Sequence, residues 1–374
     1  MPSKDLHSQP FDDTTLVKLR LFKEYAKAWL PTFIMPAYKN IYIFDFFAGP
    51  GHDENGVEGS PILILREVLG QAKNILKMGT ILHLVFNEYS RSKAGCLREV
   101  LENLRSKEKL LSQLIDSRVL RIELRSGEVE KAFYEFYPQM KVCPSLVYMD
   151  QNGVKFLTRQ YLDAFSQCKK IDALYFNSSS FYRRFPEEKG FEDNTLGIDA
   201  IKIRNAPIDM AHEIFVEELR SVYPSQRGLK FYPFSLRKRN TGNVYGIVFC
   251  AKHLRAIDKF LTVAWRINDE NGCANYDIEK QKQLTLFKEN LTKIEKFEIE
   301  LEAKICSGEI KNNNDALIFA YECGHPSTHA AECVKKMKDR GMITIEGNFP
   351  RVSYDAVYRE KHIVEFKVSK KSER

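Results

Sequence analysis

Apolar positions along the chain recur with two periods. From Thr14 to Trp29, the residues Leu16, Leu19, Phe22, Tyr25, Ala26 and Trp29 fall at helical spacing, which predicts a leading amphipathic helix that ends at Pro31. Five short apolar runs follow, at 40–47 (NIYIFDFF), 81–88 (ILHLVFNE), 117–124 (SRVLRIEL), 144–150 (PSLVYMD) and 172–177 (DALYFN). The segments between them, 60–76, 90–106, 127–137 and 154–168, carry the helical pattern. Strands alternating with crossover helices predict a parallel, doubly wound α/β sheet, whose ligands bind at the carboxyl ends of the strands.

The pattern changes after residue 228. LKFYPFSL and NVYGIVFCA flank RKRNTGN, whose Asn-Thr-Gly-Asn is a turn signal, so an antiparallel hairpin is expected to finish the sheet. A Rossmann-like parallel sheet closed by such a hairpin is the usual outline of a class I methyltransferase. A helix is predicted from Leu284 to Ile305, with Leu284, Phe287, Leu291, Ile294 and Phe297 on one side. Two helices around a tight turn, then a strand and a wing, resemble a winged-helix module. The expected division is a first domain at 1–280 and a helical, winged-helix-like domain at 281–374.

At 374 residues and 44% hydrophobic content, the chain can bury one large core and a small second one. No run approaches the roughly 18 apolar residues of a membrane span, and MPSKDLHSQPFDD lacks the apolar centre of a signal peptide, so a cytoplasmic protein is expected. The eight cysteines are scattered singly, which predicts reduced and mostly buried thiols. The net charge of +7 says less than its distribution: between Leu219 and Ile257 there are eight Lys or Arg and no acid.

Candidate chemistry concentrates in IYIFDFFAGPGHDENGVEGSP, residues 41–61. A dinucleotide fingerprint needs a glycine at position 54, which is Glu, and no Gly-Lys-Ser/Thr is present for a P-loop. Asp45 ends the first strand and faces the loop, where its charge would repel a phosphate and favour a cation. S-adenosylmethionine carries a sulfonium and an ammonium group, and Gly49 and Gly51 would let the backbone approach it closely. Glu88 ends the second strand, where one carboxylate can accept both ribose hydroxyls. Gly127 and Glu128 follow the third, where an acid can receive the adenine amino group. Phe47 and Ala48 complete the loop's candidate cofactor contacts. Ser60, ahead of Pro61, is read as a helix N-cap.

With FDFFAGPG followed by GSPILIL, then FNEYS, a strand ending in Asp150, YFN, the basic hairpin and AWRIND, the chain resembles the three-Cys-motif partner family. The resemblance implies an S-adenosylmethionine-dependent methyltransferase of bacteria and mobile elements, in a mobile-element or phage-defence setting. It implies cofactor positions at Asp45, Gly49, Gly51 and Glu88. The family commonly has Asp-Pro-Phe-Gly after the fourth strand, whereas this chain has Asp150-Gln151-Asn152-Gly153. A ring to stack on a base would then come from Tyr148, Phe156 or Phe181. Asp150, Asn152 and Asn177 are the candidates for placing the methyl acceptor, since alignment supplies much of the rate of methyl transfer. The competing class is a methyltransferase fold retained as a non-enzymatic binding subunit.

Arg237, Lys238 and Arg239 at the hairpin tip suit phosphate contacts, with Phe231, Tyr232, Phe234 and Tyr245 nearby as either stacking rings or core. Nucleic acid is therefore the expected substrate, and residues 285–374, nearly balanced in charge, can instead meet a protein partner. Cys323, His325, His329 and Cys333 offer zinc ligands at weak spacing, so no metal is expected. No hydrolase elbow is present.

Overall fold

A computed structural model describes residues 9–151, 153–185, 196–223, 228–237, 243–273 and 291–369, with the Arg237 side chain excepted. The chain divides into two compact units, Met1–Lys252 and His253–Arg374.

The first unit opens with helix α1 (Asp13–Ile34), capped by Asp12, which accepts the Thr15 amide. It runs on through Pro31, beyond the expected end, because a proline withholds only its own N–H and the Met35 amide still reaches the Pro31 carbonyl. Strands β1 (Asn40–Asp45), β2 (Ile81–Glu88), β3 (Leu120–Ser126), β4 (Ser145–Met149) and β5 (Ile171–Asn177) form the parallel array expected from their apolar runs. β6 (Lys230–Arg237) and β7 (Val244–Ala251) pair antiparallel, and β7 also runs antiparallel to β5. The sheet order is β3-β2-β1-β4-β5-β7-β6, so the winding reverses between β1 and β4.

Helices α2 (Ser60–Gly70), α3 (Ala72–Met78), α4 (Arg91–Lys107), α5 (Lys109–Asp116), α6 (Val129–Val142) and α7 (Arg159–Gln167) connect these strands. The short helices α8 (Ser179–Arg184) and α9 (Ala200–Asn205) lead to α10 (Ala211–Val222) before the final hairpin. On one face of the sheet Phe133, Phe136, Leu162, Phe165, Phe215 and Leu219 pack on Phe44, Val147 and Tyr175. On the other, α1 buries Phe22 against Tyr148 (centroids 4.5 Å apart) and Tyr25 against Phe249 (5.1 Å).

Tyr25 also donates its hydroxyl to the buried Asp172 carboxylate at 2.8 Å, fastening α1 to the start of β5. Hydrogen bonds to charged groups are worth about 1.5–3 kcal/mol. Tyr25→Phe, which keeps the ring, is therefore expected to lower unfolding stability by about 2 kcal/mol. An unchanged urea midpoint would show that the bond contributes nothing.

In the second unit, α11 (Leu254–Ile267) packs with helices Lys293–Cys306, Asn313–Glu322 and Ser327–Asp339, and β8 (Ile343–Ile345) pairs antiparallel with β9 (Phe366–Val368). α11 belongs to the second unit, where Trp265 donates to the Gly324 carbonyl at 2.9 Å and its ring meets His325 and His329, and the boundary expected near residue 281 lies outside the described residues. Of the helix expected at 284–305, positions 284–290 lie outside the described residues. The described part starts at a reciprocal cap between Thr292 and Glu295 and buries Phe297, Leu301 and Ile305, while Leu291 before it is exposed. Of the eight cysteines, Cys168, Cys250, Cys273 and Cys333 are buried, and Cys96 and Cys306 are exposed. Among the described residues no helix is long and apolar enough to cross a membrane.

Candidate functional site

In a doubly wound sheet the ligand crevice lies outside the carboxyl ends of the strands where the order reverses, here between β1 and β4. The loop from Phe46 to Gly59 forms one wall. Gly49 and Gly51 hold φ of 64° and 94°, a region costly for other residues, and the Gly59 amide closes the loop by donating to the Gly51 carbonyl at 2.7 Å. A Cβ on Gly59 would press on that carbonyl at 3.1 Å. Asp53 organises the far side, accepting the amides of Phe11 (2.8 Å), Asn55 (2.9 Å) and Val57 (2.8 Å).

Asp45 ends β1 fully buried. Its Oδ2 accepts the Ser60 hydroxyl at 2.6 Å and its Oδ1 accepts the Phe47 amide at 3.1 Å. Burial pushes its pKa up to about 7, the nearby Asp150 adds to the rise, and the two hydrogen bonds and Lys18 oppose it. Its charge at neutral pH is thus conditional. Ser60 is not the cap of α2. Gly59 holds that position and Ser60 is the first helical residue, which turns its hydroxyl toward Asp45.

Glu88 at the end of β2 accepts the Gly49 amide on Oε2 (3.0 Å) and the Ser90 amide on Oε1 (2.9 Å), so it ties the second strand to the glycine loop. Each carboxylate oxygen keeps a second lone pair for a further donor. Gly127 donates to the Glu88 carbonyl at 3.2 Å, whereas the exposed Glu128 carboxylate pairs with Lys131 at 3.2 Å. Phe47 is half-buried, edge-on to Phe156 at 5.4 Å, and Ala48 is buried.

The opposite wall begins with Asp150. Its Oδ2 accepts the Lys18 ammonium at 2.6 Å, with the two side chains only 18% and 12% exposed, and the ammonium lies 5.0 Å from the centre of the Phe176 ring. Lys18 is not legible in the sequence as a site residue, since it precedes Asp150 by 132 positions. Asn152 lies outside the described residues. Gln151 is buried and structural: it donates to the Phe176 carbonyl at 3.1 Å and accepts the Phe156 amide at 2.5 Å. Asn177 ends β5 with 0% exposure, and neither amide atom has a partner among the described residues. Of the three rings considered for stacking, Tyr148 is closed to a base, being fully buried with its hydroxyl donated to the Phe22 carbonyl at 2.9 Å. Phe156 and Phe181 are half-buried.

Behind β5 the serine run ties elements together. Ser180 accepts the Val244 amide at 2.6 Å, and Ser179 Oγ lies 2.8 Å from His212 Nδ1. His212 Nε2 is 3.1 Å from the Ile247 carbonyl, which can only accept. Nε2 therefore carries the proton and Nδ1 accepts from Ser179. Burial pushes this imidazole down to about 4, so it is neutral at pH 7. Nothing in the sequence marks the pair, whose members are 33 positions apart.

Arg237 belongs to β6, and Lys238 and Arg239 lie outside the described residues. Other cations of the acid-free stretch hold the fold. Arg220 donates to the Phe231 carbonyl at 2.9 Å, and Lys252 donates to the Ser166 carbonyl at 2.7 Å. Phe231, Tyr232 and Phe234 are core residues, and Tyr245 stacks on Phe176. His325 and His329 face each other through Nδ1 at 2.9 Å, and no group of three His, Cys, Asp or Glu suited to a metal occurs among the described residues. No protein-family model matches the chain, and no curated protein matches it.

Proposed function

We propose that the first unit is a class I methyltransferase that takes S-adenosylmethionine at the carboxyl ends of β1 and β2 and methylates nucleic acid. One observation carries the reading: a glycine loop, turned by positive φ at Gly49 and Gly51, is bound to the acid that ends the neighbouring strand and sits at the reversal of the sheet. The strand order, with β7 reversed beside β5, is that of the class I methyltransferase sheet, which favours this over a dinucleotide oxidoreductase.

The residues present suit the group. Glu88 has acceptor capacity left for ribose hydroxyls, and Asp45 supplies negative charge beneath the loop when ionised, whereas the bare sides of Gly51 and Gly59 face Leu97 and the loop's own carbonyl. When bound, the cofactor supplies an electrophilic methyl group on a positively charged sulfur. Asp150 and Asn177 end the two strands on the acceptor side. In the second unit, the helix pair 313–322 and 327–339 and the β8–β9 hairpin are joined by a short pairing, Phe366 amide to Lys311 carbonyl at 2.7 Å. That sequence of elements supports a winged-helix-like reading.

Calorimetric titration with S-adenosylmethionine tests the reading. Glu88→Ala is expected to weaken binding about 100-fold, because two bonds to a charged acceptor are lost. Absence of binding by the intact chain would end the cofactor assignment. Binding without transfer of label to any nucleic acid, protein or small molecule would leave a non-enzymatic binding subunit.

A further inference from the structure

The pairing of Lys18 with Asp150 deepens that reading and rests on it. We infer that the methyl acceptor is a hydroxyl, the ribose 2′-hydroxyl of RNA, with Asp150 taking its proton and Lys18 steadying the oxygen as it becomes negative.

The sign of the charge that develops on the acceptor separates nitrogen from oxygen. A nitrogen acceptor becomes positive as it bonds to the methyl carbon, so an ammonium beside it opposes the reaction. An oxygen acceptor loses its proton and becomes negative, and an ammonium beside it stabilises that state in a site with little water. Here a cation is built into the acceptor wall. Lys18 arrives from α1, is 12% exposed, and is held between the Asp150 carboxylate at 2.6 Å and the Phe176 ring at 5.0 Å, at the ends of β4 and β5.

An exocyclic amine would also ask for a ring free to stack after β4. Tyr148 is sealed in the core, and Phe156 is packed edge-on to Phe47 at 5.4 Å. An aliphatic hydroxyl asks for different things: a base within reach and a donor for the oxyanion. Asp150 Oδ2 is taken by Lys18, and Oδ1 accepts no hydrogen bond from a described residue, which leaves it for the proton.

The step balances. The hydroxyl oxygen forms a bond to the methyl carbon as the carbon–sulfur bond breaks. That bond's electron pair stays on sulfur, which becomes a neutral thioether, and the hydroxyl proton passes to Asp150. No oxidant or second cofactor is required. A 2′-hydroxyl is the hydroxyl that an internal nucleotide of RNA offers and DNA lacks.

The test uses the full chain with methyl-labelled S-adenosylmethionine and total cellular RNA, followed by alkaline hydrolysis. A methylated 2′-oxygen cannot attack the adjoining phosphate, so label is expected in alkali-stable dinucleotides. Label on a base, in DNA alone, or in no acceptor despite cofactor binding overturns the inference while leaving the cofactor site standing. Failure to bind cofactor removes both. Lys18→Met is expected to lower kcat about 100-fold or more, the usual effect of losing one oxyanion donor, with cofactor affinity by calorimetry within about twofold. Lys18→Arg, which keeps the charge, should recover part of the loss. Turnover by Lys18→Met within threefold of the parent, or equal loss in the Met and Arg variants, would reduce Lys18 to a tether of α1. Should Lys18→Met not fold, the position of the label on the parent's product decides alone.

Discussion

Gly246→Ala is expected to destabilise the first unit by more than about 3 kcal/mol, although it adds only a methyl group in the middle of a strand. A Cβ at this position would lie 2.2 Å from Cδ2 and Nε2 of His212 and 2.4 Å from Cε1. Overpacking of this kind costs about 1–3 kcal/mol where the neighbour can yield. Here it cannot yield cheaply. The ring is fully buried, held by Ser179 on one nitrogen and by the Ile247 carbonyl on the other, so moving it strands two buried polar groups at about 1–3 kcal/mol each. Urea unfolding of the single variants Gly246→Ala and His212→Ala and of the double variant gives the check. Once the ring is gone the extra methyl has room, so the double variant should lose at least about 1 kcal/mol less than the two single losses together. A Gly246→Ala protein as stable as the parent would mean that the imidazole does not rest on β7.

This contact also shows where legibility in the sequence stops. The four inner parallel strands β1, β2, β4 and β5 are readable because they are covered on both faces, so their apolar runs are nearly unbroken, as in ILHLVFNE and IYIFDFF. β3 begins three residues later than its apolar run suggests. Ser117 ends α5 and Arg118 turns back at φ 60°, with the Val119 amide still bonded to the Leu114 carbonyl. The helices α8, α9 and α10 escape notice because α8 and α9 are six residues each, too short for a period to show, and α10 follows directly on a one-turn 3₁₀ segment at Ile208–Met210. The acids at the strand ends are readable because strand ends are local facts, and Asp45, Glu88 and Asp150 do end or closely follow β1, β2 and β4. What those acids touch is not local. Lys18 meets Asp150 and Tyr25 meets Asp172 only because α1 folds back along the sheet, and Ser60 meets Asp45 only because the glycine loop closes on itself. A single sequence carries no signal for pairings made by topology.

Asp45 makes the second large expectation, one read in pH. In the folded chain its pKa stands at about 7, against 3.8 for an ordinary aspartate, with burial as the first cause. Between these values the native state holds a proton that the unfolded chain has released, so stability falls as pH rises through this window and the loss is complete above pH 7. The full span corresponds to about 4 kcal/mol, and the part between pH 5 and pH 8 to about 3 kcal/mol. Asp45→Asn has nothing to ionise there. Its urea stability relative to the parent should therefore rise by about 3 kcal/mol from pH 5 to pH 8, and titrations elsewhere cancel in the difference. A difference that stays level across that range would mean Asp45 is ionised throughout, and with it would go the idea that its charge is conditional. The same proton reports on the ligand. A cation lodged against the glycine loop favours ionised Asp45, so binding near pH 6.5 should expel a fraction of a proton into solution, and affinity should climb as pH approaches 7. Calorimetry of S-adenosylmethionine binding in buffers of different ionisation heat measures that release directly. Asp45→Asn should abolish it, whereas a neutral or anionic ligand in the same crevice would expel none.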